Sequence, residues 1–216
     1  MKRSNQNSLH MKKYIAEFIG TFFLVLTIGC TVLSGQAGVI PPLAIGAALM
    51  VMIFAGGHIS GAHFNPAVTL AVWIRGKCDT KDVVPYIAFQ MIGAVLAALL
   101  VTFLRGKGTA GDIVIAKALV AELSFTFALA WVVLNVATAK GTANNSFYGA
   151  AIGLTVTAGA IAVGDISGGA FNPAVAVGAV MMGLIKASNL WLYLVVCSAA
   201  GLLAGIAFKT INSDDK

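Results

Sequence analysis

At 216 residues, 59% hydrophobic and only 10% charged, with a mean hydropathy of +0.91, the chain has too little polar surface to cover a soluble globule and reads as an integral membrane protein. Its formal charge of +6 would suit nucleic acid in a soluble chain, but here the basic residues stand at the ends of apolar runs, where membrane topology accounts for them, so nucleic acid is excluded as a partner. Cys30, Cys78 and Cys197 have no paired or metal-like spacing and read as packing residues; no cofactor, metal or covalent chemistry is expected.

Residues 1–13 are polar and basic and read as a cytoplasmic tail without a cleaved signal, because the apolar run behind them is long enough to span and leads into further spans. The first span is predicted over about Tyr14 to Leu33 and carries Ala16-Glu17-Phe18-Ile19-Gly20-Thr21-Phe22. A second follows from Pro42 to Ala55. Then comes Gly57-His58-Ile59-Ser60-Gly61-Ala62-His63-Phe64-Asn65-Pro66-Ala67-Val68, predicted to be irregular backbone up to Phe64. Asn is a favoured helix N-cap and Pro a favoured first helical residue, so a helix should start at Asn65. Its apolar run, Ala67 to Ile74, is a half-span at best, since a bilayer core of about 30 Å needs roughly 20 helical residues. A third span, Val83 to Leu104, closes the first half.

The second half repeats this order. A fourth span from Ile113 to Thr138 carries Ala121-Glu122-Leu123-Ser124-Phe125-Thr126-Phe127, a fifth runs from Tyr148 to Val163, and a sixth from Asn189 to Phe208. Between the last two stands Gly164-Asp165-Ile166-Ser167-Gly168-Gly169-Ala170-Phe171-Asn172-Pro173-Ala174-Val175, followed by an apolar run to Ile185. The two Asn-Pro-Ala boxes are 107 residues apart, and eight of the ten positions from Ile59 and from Ile166 are identical, which marks an internal duplication. Tyr86 and Tyr193 keep the same spacing.

Three spans per repeat is an odd number, so the copies must enter the membrane from opposite sides, as inverted repeats with a site near the midplane. The expected fold is all-α, with six transmembrane helices and two re-entrant half-helices. The expected division is a membrane domain over 14–208, with repeats 14–104 and 113–208, and a short tail at 209–216. Placing both termini inside puts ten of the fourteen basic residues on the cytoplasmic side and leaves Arg105, Lys107, Lys117 and Lys186 outside, so both termini are expected to be cytoplasmic.

Inversion should bring Asn65 and Asn172 together near the midplane, where two helix N-termini focus partial positive charge. Irregular backbone at that depth is tolerated only if buried in protein or lining a watery cavity, which predicts a pore walled by the carbonyls of Gly57 to Phe64 and Gly164 to Phe171. Each Asn would cap its helix through its side-chain oxygen and point its amide N–H₂ into the lumen. A passing oxygen held by two such donors cannot relay protons, and the helix ends repel cations.

Two Asn-Pro-Ala boxes in inverted halves, Ala-Glu-x-x-x-Thr-Phe in the first helix of each half, and Phe89-Gln90-Met91-Ile92-Gly93-Ala94 in the third span resemble the aquaporin and glycerol-facilitator family, over about Lys13 to Phe208. The resemblance implies a passive channel in a cell membrane, for water and small uncharged solutes such as ammonia, urea, glycerol or hydrogen peroxide. Its central constriction would be Asn65, Pro66, Ala67, Asn172, Pro173 and Ala174. It also implies a homotetramer, for which the sequence offers only apolar outer faces and small residues such as Gly93, Ala94 and Gly201. Glu17 and Glu122 would brace the loops by accepting backbone N–H bonds; the alternative is a proton-coupled secondary transporter that uses these carboxylates. His63 is a candidate for the pore wall.

Most water-selective members place an Arg directly after the second box, and this chain has Val175. Aligned by distance from the boxes, the other selectivity-filter positions are Ile45, Ala160 and Gly169, none aromatic, basic or His. The expectation is a filter wider and less polar than usual.

Overall fold

The computed structural model describes the backbone of residues 2–215 and the side chains of residues 10–215. Among these are eight α-helices: α1 (Lys2–Val32), α2 (Ile40–Ser60), α3 (Pro66–Arg75), α4 (Thr80–Arg105), α5 (Ile115–Thr138), α6 (Tyr148–Ser167), α7 (Pro173–Met181) and α8 (Leu190–Ile211). Six are long and apolar enough to cross a membrane, α1 from His10 onwards and α8 with the short 3-10 turn before it. The remaining two, α3 and α7, are the half-helices. Burial is inverted relative to a soluble protein: Phe103 is 85% exposed and Val84 73%, while Glu17, Thr21, Gln90, Glu122 and Thr126 are fully buried. Lipid tails solvate the former, and the buried polar groups need internal partners.

The packing follows the repeat. Helix α1 packs on α2 and α4, as α5 does on α6 and α8. Each half-helix crosses to the other half: α3 lies on α8, and α7 on α4. The halves meet along α2 and α6, where Gly46 and Gly153 stand in reciprocal contact. A Cβ on Gly46 would come 2.6 Å from the Gly153 carbonyl oxygen, and one on Gly153 2.4 Å from that of Gly46. Gly153→Ala must therefore push the two backbones apart, a strain of about 1–3 kcal/mol, and is expected to lower the thermal midpoint of the detergent-solubilised protein.

Gly93, Ala94 and Gly201 are buried inside the protomer. A Cβ on Gly93 would strike the Phe18 carbonyl oxygen at 2.6 Å, and one on Gly201 that of Ala67 at 2.1 Å. Their small size thus serves packing within one chain and does not bear on assembly.

Two spans outrun their sequence expectation. Helix α2 continues to Ser60 and α6 to Ser167, through glycines that an apolar helix tolerates, so the irregular stretches shrink to Gly61–Phe64 and Gly168–Phe171 and His58 is helical. Conversely, α7 stops at Met181 rather than reaching Ile185, because the chain reverses through Gly183 at φ 74°. A Cβ there would lie 2.4 Å from the Gly108 carbonyl oxygen.

One face of the bundle carries both ends of the described chain and is called the terminal face below. There Arg75, at the end of α3, donates to Asp215 Oδ1 (2.8 Å) and lies 4.8 Å over the Phe208 ring. Asp215 Oδ2 accepts the Lys140 backbone N–H (2.7 Å). That N–H, followed by the Arg75 charge, holds the Asp215 carboxyl below its usual range against the opposing effect of burial. Because the folded-state value is depressed, the stabilisation is complete above the pKa of an unfolded Asp, about 3.9, and is lost as pH falls through the folded value. Asp215→Asn is expected to melt below wild type at pH 7, with the gap narrowing as pH falls below the value of an unfolded Asp and through the lower folded one.

Candidate functional site

Each re-entrant loop begins where a long helix is broken by a left-handed glycine. Gly61 (φ 87°) donates its N–H to Gly57 O, and Gly168 (φ 88°) to Gly164 O. Further left-handed residues follow: Ala62 (φ 52°) and Phe64 (φ 50°) in the first loop, Gly169 (φ 60°) and Phe171 (φ 48°) in the second. Three of these four carry a side chain, and such conformations persist only where surroundings enforce them, at a cost of about 1–3 kcal/mol each.

The two buried glutamates supply that enforcement. Glu17 Oε1 accepts from Ser60 Oγ (2.6 Å) and the His63 N–H (2.9 Å), while Oε2 accepts from the Phe64 N–H (2.7 Å) and Gln90 Nε2 (2.8 Å). Glu122 repeats this with Ser167 Oγ (2.7 Å) and the N–H groups of Ala170 (3.0 Å) and Phe171 (2.7 Å). Its fourth neighbour is Cys197 Sγ at 3.6 Å, at the position that Gln90 fills in the first half. Tyr86 OH donates to Ser60 O (2.8 Å) and Tyr193 OH to Ser167 O, tying each helix end to the fourth helix of its own half.

Both asparagines take extended backbone, φ −158° and −159°, ahead of a proline. Asn65 Oδ1 accepts the Ala67 N–H (2.8 Å); Asn172 Oδ1 accepts those of Ala174 (2.9 Å) and Val175 (3.4 Å). The amides also cross the molecule. Asn65 Nδ2 donates to Phe171 O and Asn172 Nδ2 to Phe64 O, both at 2.9 Å. The expectation that the whole N–H₂ faces the lumen is therefore corrected: one hydrogen of each is used between halves, leaving one for a solute.

Around this pair lies a cavity of about 280 Å³. It brings together Asn65 and Asn172 with all four filter candidates, Ile45, Ala160, Gly169 and Val175, and with His63. No Asp, Glu, Lys or Arg side chain is among its lining residues. Of the remaining box residues, Pro66, Ala67, Pro173 and Ala174 are buried at the helix starts outside the lining. His63 Nδ1 is 3.1 Å from Thr69 Oγ1, which in turn receives Gln90 Nε2 (3.0 Å). The sequence reading missed Ser60, Ser167, Thr69 and the role of Gln90. The two serines could have been found, because they recur at the repeat spacing next to a glycine.

Six spans, two half-helices meeting tip to tip, and an uncharged cavity at their junction are the architecture of a membrane channel. The chain belongs to the major intrinsic protein family, whose description residues 4–208 match. Among its relatives, the glycerol uptake facilitator protein-like 6 of Lactiplantibacillus plantarum is 36% identical over 217 residues, covering 95% of this chain and all of that protein. Aquaporin NIP1-1 of Oryza sativa subsp. japonica is 40% identical over 95% of this chain and 76% of its own length. The X-ray structure of the aquaglyceroporin from Plasmodium falciparum shares the fold, with a TM-score of 0.82 over 94% of this chain and 98% of that one, at 24% identity. The protein is thus a passive channel for water and small solutes.

Proposed function

We propose that the channel passes, besides water, at least one larger neutral solute such as urea or glycerol, through a wide and apolar filter formed by Ile45, Ala160, Gly169 and Val175. The supporting observation is that all four face one cavity with no charged side chain in its lining. A filter of hydrocarbon and backbone offers few donors to replace the hydration of a lone water, and leaves room for a solute with its own carbon skeleton. Glycerol is further supported by the name of the Lactiplantibacillus relative. Asn65 and Asn172, framed by Pro66, Ala67, Pro173 and Ala174, form the central constriction and exclude cations by their helix ends. Glu17 and Glu122 brace the loops. The protein is read as a homotetramer in a cell membrane with both termini cytoplasmic, and as a channel unit over 14–208 between short tails.

Stopped-flow light scattering on proteoliposomes tests this reading. Wild-type vesicles are expected to be permeable to water and to at least one of urea and glycerol, relative to empty vesicles. Permeability to water alone overturns the wide filter.

A further inference from the structure

The repeat spacing gives every filter residue a counterpart on the terminal side of the asparagines. Ile152 answers Ile45, Ile53 answers Ala160, Ala62 answers Gly169 and Val68 answers Val175, and all four counterparts line the same cavity. This second ring is the bulkier one. Two pairs are chemically identical, but an isoleucine stands in place of an alanine and an alanine in place of a glycine. His63 stands beside it where the other half has Ala170.

Exposure separates three of the four pairs as well, the exception being Val68 and Val175, which are both buried. Ile152 is 4% exposed and Ile53 3%, whereas Ile45 and Ala160 are only half-buried. The isoleucine pair is a built-in control, because an identical side chain is closed in on one side and open on the other. The cavity has the same asymmetry. On the Val175 side it reaches past the filter to Val32, Pro41 and Leu184 near the helix ends, and includes Gly164 and Gly168. On the terminal side it reaches Ile53, Ala62, His63, Val133 and Ile152, and neither Gly57 nor Gly61, the counterparts of those glycines, lines it.

We infer that the size cutoff of this channel is set by Ile53, Ala62, Val68 and Ile152, with His63 beside them, on the terminal side of the asparagines, and not by the ring around Val175. A steric cutoff belongs to the narrowest point of a pore. With Val175 in place of Arg, the filter no longer holds the largest side chains along the path. The bond from His63 Nδ1 to Thr69 fixes the imidazole against this ring, so the ring cannot widen by turning that side chain away. The solute selected is one that can shed water and slide past four aliphatic groups: small, neutral and compact in cross-section.

The inference rests on the reading that both rings line a conducting pore, and its test is separate from that of the wide filter. Water, glycerol and erythritol permeabilities are measured by stopped-flow light scattering on proteoliposomes holding wild type, Ile53→Ala, Ile53→Val or Val175→Ala. The erythritol-to-water ratio is expected to rise about tenfold in Ile53→Ala, the scale of discrimination that a pocket methylene or two provides. It should rise less in Ile53→Val and less again in Val175→Ala. Should Ile53→Ala fail to yield folded protein, Ile53→Val, which removes one methylene, decides on the same comparison with Val175→Ala. An unchanged ratio in the Ile53 variants that fold, or a larger rise in Val175→Ala, overturns the inference. Wild-type vesicles that pass water alone would defeat the wide filter yet leave this comparison readable, since an Ile53 variant should then be the first to admit glycerol.

Discussion

Val175→Arg is expected to reduce permeability to glycerol or urea by about tenfold or more while some water permeability remains. Val175 is 5% exposed and follows the two residues that start α7, so its side chain is held rigidly against the cavity. An Arg there brings a planar cation with five donors into a ring otherwise made of Ile45, Ala160 and Gly169. It fills the space a carbon skeleton needs, and it offers a water oxygen the donors that hydrocarbon lacks. A mismatch on the scale of a methylene is already worth about 10-fold to 200-fold in discrimination, and Arg exceeds Val by more than that. The measurement is stopped-flow light scattering on matched proteoliposomes. Unchanged glycerol and urea permeability in the variant would sink the wide-filter reading.

Glu17→Gln is expected to be the most destabilising conservative change in the chain. The buried carboxylate accepts four donors, and an amide in its place puts an N–H₂ against at least one pair of them, Ser60 Oγ with the His63 N–H or the Phe64 N–H with Gln90 Nε2. Hydrogen bonds to a charged group contribute about 1.5–3 kcal/mol each, so losing two costs roughly 3 kcal/mol or more. Glu122→Gln should cost less, because its fourth partner is the weak donor Cys197 at 3.6 Å. Yield of monodisperse protein and its melting temperature in detergent provide the check. Vesicles of the surviving protein should show no flux driven by a pH gradient. Equal loss of stability in the two variants would contradict the structural ranking.

The architecture was legible because its signals are local and occur twice. Asn-Pro-Ala caps a helix wherever it stands, and two copies separated by an odd number of spans dictate inversion. Glu17 and Glu122 stand out as carboxylates in apolar runs. Less legible were features defined by contact across the molecule. Nothing near Asn65 announces that its amide will meet Phe171 O, and the glycines of Gly57 to Gly61 look like broken backbone until Ser60 is seen closing the helix end. Ile53 and Ile152 sit in apolar runs like any lipid-facing residue, and only the fold separates the isoleucine lining a cavity from the one facing hydrocarbon.

The crossed asparagine bonds also carry a consequence for biosynthesis. The acceptor for Asn65 lies 106 residues further on, in Phe171, and the helix on which α3 packs, α8, leaves the ribosome after the other seven. While only the first repeat has emerged, Glu17 can already gather its own loop, yet the tip of that loop has an amide without its acceptor and a half-helix without its bed. Until Phe171 and α8 have been made, the first re-entrant segment lacks two of the contacts that hold it in the folded channel. A chain that ends before Phe171 therefore has no half whose polar contacts are complete.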